Sequence, residues 1–98
     1  MREYLIRLAN DDELSIPYSK WGEVFRPSSF PSEVIEGWGN LRLEVAGCEV
    51  SFSDEPPGIQ ISFQTGDLPA NDADAIMREI LEGVEAFTGR KGKIIPLG

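Results

Sequence analysis

The chain has 98 residues and a formal net charge of −8, and it contains no histidine. A chain of this length is expected to form a single domain over residues 1–98. Without histidine it lacks the commonest general base, the usual activator of a nucleophile and the commonest zinc ligand, which excludes Ser-His-Asp, Cys-His and Cys₂His₂ sites. The excess of acidic residues repels phosphate backbones and argues against nucleic-acid binding.

The sequence also lacks the hallmarks of membrane insertion and export. It has no apolar run of about 18 or more residues, and residues 1–5 do not lead into the apolar core and cleavage site of a signal peptide. Cys48 is the single cysteine, so no internal disulfide is expected, and its place in an alternating segment predicts a small buried hydrophobe. These features predict a cytoplasmic protein without membrane association.

The first predicted element is a strand over residues 2–8, where alternate side chains share one apolar face. A polar turn follows at residues 10–13. Its consecutive acids lack the alternate spacing and the central glycine of a calcium loop, so a solvated turn is predicted there and no metal site. Residues 14–16 are expected to form a short strand before Pro17.

Residues 18–39 form the least regular part of the sequence, because prolines and glycines interrupt every periodic pattern. Only residues 32–36 are expected to form a helical turn. Two interpretations are open for the aromatic residues of this segment, which are Tyr18, Trp21, Phe25, Phe30 and Trp38. In the favoured one, most rings fold back over the open side or end of the sheet. In the other, at least one of the two tryptophans is exposed in an interface.

Three alternating segments predict a three-stranded antiparallel meander over residues 41–63. Ala46-Gly47 fits a two-residue hairpin turn. The apolar pairs that this turn predicts are Val45 with Cys48, Leu43 with Val50, and Leu41 with Phe52. Residues 54–58 predict a second, wider turn. The pairs that the wider turn predicts are Phe52 with Ile59, Val50 with Ile61, and Cys48 with Phe63.

Apolar residues recur at helical spacing over residues 71–88, which predicts one long amphipathic helix. Asn71 is its expected N-cap, and Gly89 is its expected C-terminal cap. The apolar stripe consists of Ala73, Ile76, Met77, Ile80, Leu81, Val84 and Phe87. A final strand is predicted over residues 93–97, and Pro96 places it at an edge because proline cannot donate to a ladder.

The predicted fold class is therefore α+β. An antiparallel sheet is formed by the meander of residues 41–63 together with the N- and C-terminal strands, and helix 71–88 packs against it. Glu44 and Glu49 fall opposite each other on its polar face, where like charges are mildly destabilising. In one interpretation this pair marks a face that binds a basic partner. In the favoured one, Arg42 or solvent relieves the repulsion between the two carboxylates.

No catalytic residues, cofactor site or metal site are predicted. Seventeen acidic residues are available for acid–base chemistry, but no pattern places two of them in a cleft. A non-catalytic protein-binding module is therefore favoured over an enzyme.

The final part of the chain resembles small bacterial immunity proteins of polymorphic-toxin systems. The resemblance covers residues 40–97 and rests on the helix IMREIL at 76–81, followed by the turn and strand GRKGKII at 89–95. It implies a compact acidic α+β protein that neutralises a cognate toxin by stoichiometric binding, with an acidic surface complementary to the basic active site of a nuclease. The contact residues expected on this hypothesis are Trp21, Glu23, Trp38, Asp54 and Glu55.

Two alternatives stay open. The chain is a homodimeric accessory domain if an edge strand, formed by residues 2–8 or 93–97, pairs across a two-fold axis. It is a small-ligand binder or an enzyme if a pocket lies between the aromatic segment and the sheet.

Overall fold

The computed structural model describes residues 2–37, 39–64 and 68–98, and the alternating segments of the sequence are its strands. The elements are β1 (Arg2–Leu8), α1 (Tyr18–Val24), β2 (Ser32–Val34), β3 (Leu41–Val45), β4 (Cys48–Glu55), β5 (Gly58–Phe63), α2 (Ala70–Thr88) and β6 (Gly92–Pro96). Over these described residues the strands form one six-stranded sheet in the order β2-β3-β4-β5-β1-β6. Every neighbouring pair in it is antiparallel.

One face of the sheet packs against α2, which confirms the predicted α+β fold. Alternation sends the apolar side chains of the strands to this face, where Ile6, Val50 and Ile61 are fully buried together with Ile76 and Ile80 of α2. Burying each such side chain stabilises the folded state by about 1.5–3 kcal/mol. Cys48 is also buried in this core, as predicted.

The first turn of the meander confirms the predicted register. Ala46 and Gly47 have φ angles of 49° and 82°, the positive values that a two-residue hairpin turn of this hand requires. The observed pairs are those predicted: Val45 with Cys48, Leu43 with Val50, and Leu41 with Phe52. Turn chemistry and apolar pattern agree at this hairpin, so the register follows from the sequence.

The second turn is tighter than predicted, and the predicted register is wrong by two residues. Phe52 lies opposite Ile61 instead of Ile59. The reason is that Asp54 and Glu55 continue β4, so the strands are joined by Pro56-Pro57, whose peptide bond is cis. Because side chains alternate with a period of two, the slip leaves every side chain on its predicted face.

Residues 18–37 are more ordered than the sequence predicts. They contain helix α1 and strand β2, where a helical turn had been expected at residues 32–36. The favoured interpretation of the rings is confirmed for Trp21 and Phe25, which are buried; the Phe25 ring stacks on Phe52 at 5.1 Å. No strand forms at residues 14–16, although Leu14 and Ile16 are buried.

Helix α2 begins one residue earlier than predicted. Its N-cap is Pro69, whose carbonyl oxygen accepts hydrogen bonds from the backbone N–H groups of Asp72 and Ala73, so Asn71 is not the cap. Gly89 ends the helix in the left-handed conformation, with φ of 70°, as predicted. No helix in the described part of the chain is long and apolar enough to cross a membrane.

Strand β1 lies inside the sheet, hydrogen-bonded to β5 on one side and to β6 on the other. It is therefore not an edge strand, which rules out the homodimer alternative through residues 2–8 and leaves the one through residues 93–97 untested. The two edges of the sheet are β2 and β6, and Pro96 lies in the second of them, as predicted.

Candidate functional site

A cleft of about 290 Å³ opens where the segment before α1 meets the turn between β4 and β5. We call it the Tyr18 cleft. Its lining includes Glu13, Pro17, Tyr18, Trp21, Asp54 and Pro56. The cleft thus combines two segments that lie far apart in the sequence, the aromatic segment and the acidic turn.

A backbone hydrogen bond joins the two walls of the Tyr18 cleft. The N–H of Leu14 donates to the carbonyl oxygen of Pro57 at 2.8 Å, which ties the incoming segment to the β4–β5 turn. The floor is Trp21, which is 2% exposed and whose indole N–H donates to the carbonyl oxygen of Ile16 at 2.9 Å. A buried indole with a satisfied N–H is a rigid support for the residues above it.

Tyr18 and Asp54 meet at the mouth of the cleft. The Tyr18 hydroxyl donates to Asp54 Oδ2 at 2.8 Å, although 36 positions separate the residues in the sequence. The backbone N–H of Asp54 donates to Asn40 Oδ1 at 2.8 Å, which fixes the acid from behind. The Tyr18 ring, 60% exposed, meets Trp21 edge-on with 5.2 Å between ring centroids.

The hydrogen bond to Asp54 raises the pKa of Tyr18, with partial desolvation and the negative charge of Asp54 adding to the effect. The phenol therefore stays protonated at neutral pH, which makes it a hydrogen-bond donor and a poor base or nucleophile. No group of three or more metal-ligating side chains occurs within residues 2–37, 39–64 and 68–98.

The Tyr18 cleft is suited to a cationic side chain. An exposed aromatic ring attracts a cation over its face, and carboxylates accept charge-assisted hydrogen bonds from a guanidinium or an ammonium group. Tyr18 supplies the ring, and Asp54 and Glu13 supply carboxylates at one rim.

The structure brings together some of the residues predicted to bind a partner and separates others. Trp21 and Asp54 line the same cleft, and Glu55, exposed, adjoins Asp54 at the end of β4. Trp21 lies beneath the surface, so the expectation that it is exposed as an anchor is not met; its ring instead packs against Phe25 with 5.1 Å between centroids. Trp38 lies outside the described residues.

Glu23 lies apart from the Tyr18 cleft, in a groove of about 510 Å³ between α1 and α2. Phe87, the last member of the predicted core stripe, lines this groove and is 45% exposed, so it is not part of the core. Glu79 and Arg26 also line it, so the groove carries charges of both signs. It is less suited than the Tyr18 cleft to a cation.

The acidic residues of the polar face form a row across three strands. Glu33 lies opposite Glu44, which lies opposite Glu49, and the second of these pairs was predicted. Arg42 donates to Glu49 Oε2 at 2.6 Å, which confirms that this arginine relieves the repulsion at one end of the row. The other end, at β2, was not predicted because β2 itself was not.

Tyr18 lines the cleft and donates a hydrogen bond to Asp54, and it was not among the contact residues expected from the sequence. Pro17 was a usable signal only for the start of the helix, because proline is common at helix N-termini. Comparisons of this chain with protein-family models, with curated proteins and with solved structures find no match. The function is therefore argued from the geometry of the site.

Proposed function

We propose that this chain is a non-catalytic module that binds a basic protein partner in a one-to-one complex. The observation that supports this most directly is the Tyr18–Asp54 pair at the mouth of an acidic cleft. An exposed tyrosine on a rigid floor is a good interface anchor, because it offers a large contact area at a low cost in side-chain entropy. The partner places a lysine or arginine side chain against the ring face and beside the carboxylates of Asp54 and Glu13.

The charge of the whole molecule supports the same proposal. A net charge of −8 on 98 residues attracts a basic partner over long range and raises the rate of encounter. Complementary charge also rejects acidic competitors, so it contributes to specificity as well as to rate.

We further propose that the partner is a toxin and that the chain acts in the cytoplasm as its immunity protein. The resemblance of residues 40–97 to such proteins motivates this role, and the acidic surface matches the basic active site expected of a nuclease toxin. In this role Asp54, Glu55 and Glu23 contact the toxin and block access of nucleic acid to it.

The test begins with the genes beside the one that encodes this chain. A neighbouring gene for a large secreted protein with a variable C-terminal domain supplies the candidate partner. Co-expression of that domain with the chain is expected to restore growth, and light scattering of the purified mixture is expected to give the mass of a one-to-one complex. Absence of a complex between the two purified proteins would contradict the proposal.

A pair of charge variants tests whether the Tyr18 cleft is the contact site. Asp54→Lys is expected to weaken binding by about tenfold or more, because it reverses the charge that receives the cation. Asp74→Lys is the matched control: it makes the same change of net charge at an exposed position on α2. Equal weakening by both variants would show that net charge matters and that the cleft does not.

A further inference from the structure

The outer edge of β2 presents backbone groups that have no strand beside them. In the antiparallel pair of β2 and β3, the N–H of Ile35 donates to the carbonyl oxygen of Arg42, and the carbonyl oxygen of Pro31 accepts from Ala46. Hydrogen bonding alternates along a strand, so residues 31, 33 and 35 bond inward to β3. The N–H and C=O groups of Ser32 and Val34 therefore point outward.

These outward groups form no hydrogen bond with any part of the chain that the structure describes. Val34 is 54% exposed, a large fraction for a valine in a strand. Its side chain lies on the same face as α1, close to Gly22. The edge thus offers both free backbone groups and an uncovered apolar side chain, the two features by which a sheet edge recruits another strand.

The charges at this edge define what kind of strand fits it. Glu33 is exposed on the polar face and lies directly across from Glu44, which is also exposed. A second copy of the chain, paired through β2 about an axis at Glu33, would bring that residue against its own copy, and like charges directly opposite are destabilising. A strand that carries lysine or arginine opposite Glu33 is instead attracted to its carboxylate.

We propose that β2 accepts an extended basic segment of a partner protein as a seventh strand of the sheet. The incoming strand alternates basic side chains, placed beside Glu33, with apolar side chains, placed beside Val34. This inference rests on the proposed function, since it names the part of the basic partner that is recognised. It adds a contact surface distinct from the Tyr18 cleft.

The test uses a synthetic peptide of about ten residues, a length sufficient for a strand, in which lysine and valine alternate. Fluorescence anisotropy is expected to show that it binds the wild-type chain. A peptide with lysine and glycine alternating has the same charge but a poor strand propensity, and it is expected to bind about tenfold more weakly. Equal binding of the two peptides would mean that charge alone attracts them and would overturn the proposal.

Val34→Pro removes the outward N–H and leaves the inward hydrogen bonds of β2 in place. It is expected to weaken binding of the lysine–valine peptide about tenfold. Val34→Thr keeps both the N–H and the β-branched shape, and it is expected to bind as the wild type does. Unchanged binding by Val34→Pro would overturn strand addition.

Hydrogen exchange on the wild-type chain gives a readout that needs no variant. The peptide is expected to slow exchange at the amides of Ser32 and Val34, and protection at Ile94 of β6 instead would contradict the proposal. Binding of the toxin to the variants distinguishes strand addition at β2 from the proposed function itself. If Val34→Pro still binds the partner normally while Asp54→Lys does not, strand addition fails and the proposed function stands; if the wild type binds no basic partner, the proposed function fails.

Discussion

The two edges of the sheet, β6 and β2, differ in the backbone groups that they leave available to a neighbouring strand. At β6, the N–H of Leu97 donates to the carbonyl oxygen of Glu3. Because hydrogen bonding alternates along a strand, the backbone groups of Gly92, Ile94 and Pro96 point away from β1. The N–H of Gly92 donates to Glu85 Oε2 at 2.9 Å, and proline has no N–H to offer. Among the described residues of β6, only the N–H of Ile94, a partly buried residue, remains as an outward donor without a partner.

At β2, by contrast, neither proline nor a side-chain cap covers the outward groups within the described residues. Natural sheets blunt their edges with proline, with charge or with a covering element, because a bare edge recruits other strands. The chain uses two of these devices at β6 and only charge at β2. On the proposal above, the acidic side chains at the β2 edge reject a second copy and admit a basic strand.

The largest expected effect is a loss of stability when the packing of α1, which lies beside β2, is disrupted. Trp21→Ala removes a fully buried ring beneath α1 and is expected to lower the free energy of unfolding by about 3–5 kcal/mol. Urea denaturation followed by circular dichroism measures this loss. Tyr18→Ala, at a 60% exposed ring, is the control and is expected to cost less than about 1 kcal/mol. Similar losses for the two variants would contradict the assigned burial.

A proline pair tests which groups of β2 bond inward. Glu33→Pro deletes a ladder N–H and is expected to cost about 1–3 kcal/mol, whereas Val34→Pro, one residue on, is expected to cost less than about 1 kcal/mol. The measurement is the urea midpoint of each variant. The reverse order of stabilities would mean that the outward positions of β2 are wrongly assigned, and strand addition would lose its basis.

Removing the cap at β6 is expected to make that edge resemble β2. Glu85→Ala leaves the N–H of Gly92 without its partner and is expected to lower stability by about 1 kcal/mol. Light scattering at rising concentration is expected to show self-association, because the freed N–H of Gly92 becomes a second outward donor beside Ile94 and the charge of Lys93 is already paired with Asp11. Glu82→Ala, at an exposed position of the same helix, is the control for losing a glutamate from α2. A strictly monomeric Glu85→Ala variant would weaken the comparison of the edges.

The smallest effects are electrostatic and appear in acid. Hydrogen bonds from the backbone N–H and hydroxyl of Ser29 and from Ser28 lower the pKa of Glu79 on the β2 side, and the Arg90 and Asn10 side chains lower the pKa of Asp12 near β6. A carboxyl whose pKa is lower in the folded state contributes stability above its unfolded pKa, about 4, and loses it as pH falls through the folded pKa.

Unfolding free energies measured near pH 6 and near pH 2 are therefore expected to fall by less in Glu79→Gln and in Asp12→Asn than in the wild type. Asp12 is exposed and Glu79 is only partly buried, so salt is expected to shrink the differences. If both variants lose as much unfolding free energy between pH 6 and pH 2 as the wild type does, other groups are responsible for the pH dependence.

The parts of the fold that the sequence predicts are those where two local signals agree. At Ala46-Gly47 the turn residues and the apolar alternation select one register. At Pro56-Pro57 only alternation was available, and a period of two cannot distinguish registers that differ by two residues. Helix α1 was missed because its seven residues are too short to show a period; contacts of Trp21 and Phe25 with the core hold it.

The candidate site was predicted only in part, for a related reason. The acid Asp54 and the aromatic segment were both singled out, but nothing local in the sequence says that Tyr18 reaches Asp54. The sequence likewise does not distinguish an exposed ring from a buried one in a segment without periodicity. Trp21 was therefore named as a contact residue on the immunity-protein hypothesis, and Tyr18 was not.

The interior position of β1 has a consequence for the order of folding. The meander forms from neighbouring segments, whereas Glu3 and its hydrogen-bond partner Gln60 are 57 positions apart. Closing so long a loop is slow relative to closing a hairpin, so β1 joins the sheet late. Until it does, β5 is itself an unprotected apolar edge, and this interval is when a newly made chain is most exposed to aggregation.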